Sequence, residues 1–335
     1  KKAGIPPLEL KQKEGLAILN GTQVMTAVLS DAMIRTEKLI LNADIIASLS
    51  LEALKGSLSP FDERVQQARP HRGQTDTAYN FRRLLENSQI VESHKHCPKV
   101  QDAYSLRCIP QVHGAVKDTF NHAKKVLETE MNSVTDNPLV FDEGHEVLSG
   151  GNFHGEPLAF VSDFMSIAVS ELASISERRI EYLLDPSVND GLPSFLTTDP
   201  GLNSGFMMTQ VTAAALVSEN KVLSHPASVD SIPTSANKED HVSMGAHAAR
   251  KLLEICGNVR SVLAIELLCA SQGLHFRDAE KSSEPLKKVY RKIRTVIKPM
   301  KKDRLIYTDM IKADELIENR CLIAEAENII GKLKI

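Results

Sequence analysis

Long proline-free stretches in which apolar residues recur every three or four positions constrain the fold of this chain most strongly. No proline occurs between Leu8 and Leu54. A second such stretch follows Pro157, and a third extends from Asn237 to Gly273. Apolar residues at this spacing line one face of an α-helix, and helices of this length are typical of bundles. The sequence therefore predicts an all-α fold built as a bundle of long helices.

Two features interrupt the helical pattern. Residues 139–141 and 146–148 predict one short β-hairpin, because β-branched and aromatic residues flank a turn. The glycine-rich residues 149–155 follow it, either as a plain connector or as the wall of a binding site. The last helices are shorter and more charged. We expect a central long-helix bundle over residues 1–280 and a peripheral helical cap over residues 281–335.

The overall charge and cysteine content exclude several classes of protein. The 40 Lys and Arg residues are balanced by 43 Asp and Glu residues, for a net charge of -3, so no nucleic-acid partner is expected. No uninterrupted apolar run reaches the roughly 18 residues of a membrane-spanning helix, so no membrane partner is expected. The five cysteines lack CxxC spacing. Reduced thiols and a cytoplasmic location follow as expectations.

A tyrosine and an arginine lie close together in a short segment between two prolines. Pro98 and Pro110 limit any helix that contains Tyr104 and Arg107, so a turn or a short helical piece is predicted. Residues three apart share one face of a helical turn. A guanidinium beside a phenol favours the phenolate, which can act as a general base, and it can also bind a carboxylate. The alternative is an ordinary helix-face tyrosine beside a solvated arginine.

Two further polar positions have both a structural and a functional interpretation. Asn20 precedes Gly21 within an apolar stretch, so it marks a break between two helices or presents its amide to a cavity. Asn237 fits the N-cap of the third long helix, which would place Glu239 in its acidic first turn.

A His-Cys cluster raises the alternative of a metal site. His94, His96 and Cys97 are residue types that bind zinc, and a zinc hydrolase is the corresponding function. The cluster has no matching second half elsewhere in the chain, so loop packing is the preferred interpretation and no metal is expected.

Five segments together resemble the histidine ammonia-lyases, a branch of the aromatic amino acid ammonia-lyase family. They are residues 19–23 (LNGTQ), 100–108 (VQDAYSLRC), 149–154 (SGGNFH), 203–207 (NSGFM) and 234–244 (TSANKEDHVSM). Their order is that of the family, and the likeness covers nearly the whole chain. The resemblance implies an all-α homotetramer in which each active site is assembled from three subunits.

The resemblance also implies a reaction and a cofactor. The reaction is elimination of ammonia from L-histidine to give trans-urocanate. Its electrophile is a methylidene-imidazolone formed from an Ala-Ser-Gly tripeptide. No such tripeptide occurs in these 335 residues. We therefore expect that the chain corresponds to the C-terminal two-thirds of the enzyme, lacks an N-terminal domain, and is inactive alone.

Four residues acquire roles around the substrate's carboxylate and β-carbon from the resemblance. Tyr104 would be the catalytic base that removes the β-proton. Arg107 would bind the carboxylate, and Gln101 would support both residues. Asn20 would hydrogen-bond near the carboxylate and the imidazolone.

Three more residues would complete the part of the pocket that this chain carries. Phe153 would pack near the imidazolone or the substrate, and Glu239 would be a second catalytic residue that faces the amine or imidazole. Phenylalanine-specific relatives have Lys and Gln where this chain has Met207 and Glu239. An imidazole can donate to a carboxylate whereas a phenyl ring cannot, which favours histidine. A phenylalanine or tyrosine ammonia-lyase and a non-catalytic helical assembly unit are the alternatives.

Overall fold

A computed structural model describes residues 2–95 and 99–335 of the chain. The helices are α1 (Glu14–Leu19), α2 (Gln23–Ala53), α3 (Glu63–Ala68), α4 (Arg72–Leu84), α5 (Gln89–Glu92), α6 (Tyr104–Arg107), α7 (Ile109–Met131), α8 (Glu156–Leu184), α9 (Met207–Leu223), α10 (Gly245–Arg277), α11 (Glu284–Val296), α12 (Tyr307–Glu318) and α13 (Cys321–Ile330). Strands β1 (Leu139–Phe141) and β2 (Glu146–Leu148) pair antiparallel, with Val140 opposite Val147. The predictions of a long-helix bundle and of one short hairpin are confirmed.

The predicted starts of two long helices are wrong. Residues 8–13 are not helical although they contain no proline, and nearly all are exposed, so no packing stabilises a helix there. α10 begins at Gly245 rather than at Asn237. Asn237 instead belongs to a short 3-10 turn (Ser235–Asn237) and caps no helix with its side chain. The predicted break at Asn20 is confirmed, since it lies between α1 and α2.

The three long helices α2, α8 and α10 run parallel through the centre of the molecule. A Cβ added to Gly245 would lie 2.8 Å from the Met25 sulfur and 3.3 Å from the Gly155 carbonyl oxygen, so the helices start together. A Cβ added to Gly273 would lie 2.9 Å from the Ala53 Cβ, so α2 and α10 also finish together. We call the end where α2, α8 and α10 start the amino end of the bundle, and the end where they finish the carboxyl end.

The neighbouring helices α7 and α9 run against this direction. Thr22 at the amino end donates a hydrogen bond of 2.6 Å to Glu130, which lies near the end of α7. α8 is therefore covered by helices on several sides. Its length and composition alone would allow it to cross a membrane, but 61% of its most apolar window is buried within the protein, as is usual for a core helix.

Two glycines allow α4 and α7 to cross in close contact, and they yield a stability prediction. A Cβ on Gly114 would lie 2.7 Å from the Gly73 carbonyl carbon. Replacing Gly114 by alanine should lower the free energy of unfolding by about 1–3 kcal/mol, because backbone atoms leave no room for a methyl group. Urea unfolding measures the change.

Gly257 in α10 provides the matched control, since a Cβ there meets nothing within 4 Å. Alanine at this helical position should raise stability by roughly 0.5–1 kcal/mol. Equal midpoints for the two alanine variants would contradict the close helix crossing.

A buried charge network ties α2 to α4 and α7. The Asp44 carboxylate accepts hydrogen bonds from Lys117 (2.7 Å), His113 (2.8 Å) and Asn80 (2.8 Å). Burial alone would raise the pKa of Asp44, but the Lys117 ammonium and the hydrogen bonds outweigh it and lower that pKa. Burial lowers the pKa of His113 despite its carboxylate partner. A neutral imidazole therefore donates to an ionised carboxylate.

This network predicts two stages of acid destabilisation. A lowered histidine pKa adds stability that is complete above the ordinary value of 6.5 and declines as the pH falls below it. The lowered Asp44 pKa adds stability that is complete above 3.8 and is lost as the pH falls through the folded-state value. The variant His113→Asn keeps an amide donor and should remove only the first stage. Urea unfolding at a series of pH values tests this, and an identical pH dependence in the variant would contradict it.

Candidate active site

The predicted Tyr104–Arg107 pair lies on a single helical turn, α6, at the carboxyl end of the bundle. Leu106 is buried and anchors α6, while Arg179 of α8 donates to the Ser105 carbonyl oxygen at 3.4 Å. The Tyr104 side chain is 71% exposed, and the Arg107 guanidinium carbon lies 4.5 Å from the centre of its ring. The predicted helical piece and the predicted contact between the two side chains are confirmed.

A basic cavity of about 580 Å³ adjoins α6. Its lining includes Gln101, the cations Lys55, Lys95, Lys99 and Arg107, and the carboxylates of Glu92 and Asp102, which pair with Lys95 at 3.2 Å and Lys99 at 3.4 Å. Arg107 Nε is buried and donates to no acceptor in the part of the chain that the structure describes. Because Lys55 also pairs with Asp190 at 3.1 Å, Arg107 is the cation of this lining that has no carboxylate partner among the described residues, and it can bind an anionic group such as a carboxylate.

Met207 also lies toward the carboxyl end, at the start of α9. It lines a separate cavity of about 250 Å³ with Phe195 and Gln210. Gln210 donates to Glu177 at 2.8 Å, whereas α6 contacts Arg179. Positions two apart on a helix point in nearly opposite directions. The structure therefore places Met207 and the α6 pair on different sides of α8.

Asn20 and the glycine-rich connection meet at the amino end of the bundle. The Asn20 amide donates to Asp136 at 3.1 Å and to the Asn137 carbonyl oxygen at 3.4 Å. The Gly150 amide donates to the Asn137 side chain at 2.7 Å. The turn at Asp136 and Asn137 therefore binds both the segment of Asn20 and the glycine-rich connection. Phe153 in that connection is 38% exposed. The helix-break interpretation of Asn20 is confirmed, whereas its amide donates to Asp136 and Asn137, so presentation of the amide to a cavity stays a prediction.

Glu239 lies in a narrow loop rather than in the first turn of a helix, which corrects the structural interpretation of this residue. Backbone amides of Thr234 and Glu239 donate to each other's carbonyl oxygens, and Thr234 Oγ1 donates to the Glu239 carboxylate at 2.5 Å. Hydrogen bonds from Thr234 and Ser235 lower the pKa of Glu239. Ala236 has a φ of 55°, a strained value for a residue with a Cβ.

Two histidines that sequence reasoning left unassigned connect these segments. His241 Nδ1 lies 3.3 Å from His154 Nε2. Each histidine is close in sequence to an assigned residue, Phe153 or Glu239. That proximity was the signal available, but nothing local in the sequence pairs two residues 87 positions apart.

The predicted site residues form two groups at opposite ends of the bundle. Asn20, Phe153 and Glu239 belong to segments at the amino end, while Gln101, Tyr104, Arg107 and Met207 lie toward the carboxyl end. With 1.5 Å of rise per residue, the helix from Glu156 to Arg179 is about 35 Å long. One copy of the chain therefore does not unite the predicted site.

The predicted His-Cys cluster is described only at His94. Its ring nitrogens face Ser93 Oγ at 3.0 Å and Asp190 at 3.4 Å. Burial, followed by the nearby Lys55 ammonium, lowers the pKa of His94. His96 and Cys97 lie outside the described residues, so the preferred interpretation of loop packing without a metal stays a prediction.

Comparisons with a family model and with curated proteins give the same family for this chain. The model of the family described as aromatic amino acid lyase matches residues 1–295. The chain is 54% identical to histidine ammonia-lyase of Koribacter versatilis, covering 97% of this chain and 66% of that protein. It is 53% identical to histidine ammonia-lyase of Bos taurus, covering 99% of this chain and 51% of that protein.

Two solved structures have the same fold. Histidine ammonia-lyase from Trypanosoma cruzi superposes with a TM-score of 0.90 at 44% identity, covering 98% of this chain and 62% of that one. Tyrosine aminomutase from Streptomyces globisporus superposes with a TM-score of 0.93 at 38% identity, covering 99% of this chain and 67% of that one. The chain thus spans two thirds or less of the length of the curated relatives named above.

Proposed function

This chain belongs to the aromatic amino acid lyase family, and from that premise we propose that it is part of a histidine ammonia-lyase. The reaction is elimination of ammonia from L-histidine to give trans-urocanate. The observation that carries the proposal is the exposed phenol of Tyr104 beneath a guanidinium with an unused buried donor. Identity above 50% to histidine ammonia-lyases over nearly the whole chain supports the choice of histidine.

The working enzyme is a homotetramer that shares residues between subunits. The two groups of site residues lie at opposite ends of a helical span of about 35 Å, and this supports the assembly, because an antiparallel second copy would bring its amino end to the first copy's carboxyl end. An apolar groove of about 750 Å³ between α7 and α8 supports the same assembly. Val112, Phe164 and Ile167 line this groove, and further copies would cover it.

Each carboxyl-end residue has a distinct task in the elimination. Arg107 holds the substrate carboxylate through paired charge-assisted hydrogen bonds, and Gln101 fixes the same end. Tyr104 removes the β-proton as the bond from the α-carbon to nitrogen breaks, and the freed electron pair forms the double bond of the product. Met207 contributes an apolar wall, where a lysine would place a charge.

The amino-end residues complete the pocket from another subunit. Glu239 faces the substrate's amine or imidazole. Its pKa is lowered by Thr234 and Ser235, so it stays ionised and accepts hydrogen bonds.

The same end has room for the family's methylidene-imidazolone. A Cβ on Gly150 or Gly151 would meet nothing within 4 Å, and Phe153 is partly exposed next to them. Asn20 and Phe153 would hold the group. When present, it supplies the electrophile that makes the β-proton removable. We expect the chain alone to be inactive, because it contains no Ala-Ser-Gly tripeptide. Free thiols at four cysteines support a cytoplasmic location.

Substrate specificity tests the proposal in the complete enzyme. L-histidine should give urocanate, followed by its ultraviolet absorbance, while L-phenylalanine and L-tyrosine give little product. The double variant Met207→Lys, Glu239→Gln should lose histidine turnover and gain activity toward phenylalanine. Glu146→Gln in the exposed hairpin is the control and should change neither. Turnover of phenylalanine alone by the unaltered enzyme would overturn the choice of histidine.

A further inference from the structure

Three side chains with metal-binding atoms converge at the amino end of the bundle. They are His154, Glu156 in the first turn of α8, and His241. His241 Nδ1 lies 3.3 Å from His154 Nε2, and the other nitrogen of the His154 ring, Nδ1, lies 3.9 Å from Glu156 Oε2. One donor atom from each residue lies within 4.8 Å of the other two.

The donor set and its spacing suit a divalent ion of the zinc class. Zinc binds imidazole nitrogen and carboxylate oxygen at about 2.0–2.2 Å, so tetrahedral ligand atoms are roughly 3.3–3.5 Å apart. Since one donor atom from each residue of this cluster lies within 4.8 Å of the others, the most distant pair has to close by at most about 1.5 Å. Glu156 Oε2 is buried and accepts no hydrogen bond from any residue that the structure describes, which leaves it free to bind an ion.

The positive helix N-termini near this cluster disfavour a bound cation, so the negative charge of Glu156 should be needed for binding. The cluster lies at the starts of α8 and α10, where helix dipoles are positive. Two neutral imidazoles cannot offset that field, whereas the Glu156 carboxylate can. Removal of its charge alone should therefore weaken binding.

We propose that His154, Glu156 and His241 form a site for a divalent transition metal such as zinc, with water in the remaining position. The ion would tie the glycine-rich connection, which carries Phe153, to the loop that carries Glu239. The proposal goes beyond the lyase assignment, because it needs neither substrate nor electrophile.

Direct metal titration of the chelator-treated chain tests the site. Calorimetry with zinc and visible absorption with cobalt should both give one ion per chain. His154→Gln, His241→Asn and Glu156→Gln should each weaken binding at least about tenfold. His145→Asn is the matched control, because His145 is exposed in the hairpin turn with a φ of 50° that asparagine tolerates. It should bind zinc as the original chain does, and circular dichroism should show all variants folded.

Three outcomes would overturn the proposal. They are absence of binding up to millimolar zinc, unchanged affinity in the His154 and His241 variants, and binding that only Cys97→Ser abolishes. The last result would assign the ion to the sequence-predicted cluster of His94, His96 and Cys97. None of these outcomes depends on urocanate formation, so failure of the lyase assignment is detected separately.

Discussion

Replacing Arg179 by methionine should lower the free energy of unfolding by about 3–5 kcal/mol. Arg179 donates to both carboxylate oxygens of Glu266, at 2.5 and 2.8 Å, and neither side chain is exposed. Ser50 adds a third hydrogen bond to this carboxylate at 2.6 Å. Methionine fills similar space but leaves a buried charge without its counter-ion. Urea unfolding followed by circular dichroism measures the loss.

An arginine in an exposed ion pair is the matched control for this prediction. Arg35 pairs with Asp31 one turn earlier in α2, and the two side chains are 41% and 49% exposed. Arg35→Met should therefore change stability by less than about 1 kcal/mol. Adding Glu266→Met to Arg179→Met should restore much of the loss, because no isolated charge remains. Equal effects of the two single arginine variants would show that the buried pair has no special importance.

Replacing Tyr104 by phenylalanine should lower kcat for histidine by roughly 10²–10⁴-fold in the complete enzyme. The substitution removes only the hydroxyl that would take the β-proton. It retains the aromatic ring over which the Arg107 guanidinium lies, so substrate binding and KM should change little. Steady-state kinetics of urocanate formation gives both constants.

Tyr307 provides a comparable tyrosine outside the proposed site. It lies at the start of α12 and is 63% exposed, close to the exposure of Tyr104. Tyr307→Phe should leave kcat and KM unchanged. Full activity of Tyr104→Phe would contradict the proposed base and favour the alternative of a non-catalytic assembly unit.

Local pattern was sufficient where a segment's own residues decide its conformation. Prolines and apolar spacing located α8 to within one residue of Pro157, and the turn residues located the hairpin. The same reasoning was wrong at Asn237, where a capping residue followed by acids predicted a helix start. There the pairing of Thr234 with Glu239 and three left-handed residues form a loop instead. Hydrogen bonds within this segment compete with the helix there, and His241 at its end also contacts His154 of a distant segment.

The sequence by itself determined the all-α class, the positions of the long helices and the family motifs, because these depend on residues a few positions apart. Only the tertiary structure placed Tyr104 and Glu239 at opposite ends of the bundle and His154 beside His241. It also paired Arg179 with Glu266, 87 positions away. Periodicity identifies the buried face of a helix but not the helix that covers it. That choice is made by packing over the whole chain, where close approach at residues such as Gly245 and Gly273 fixes direction and alignment.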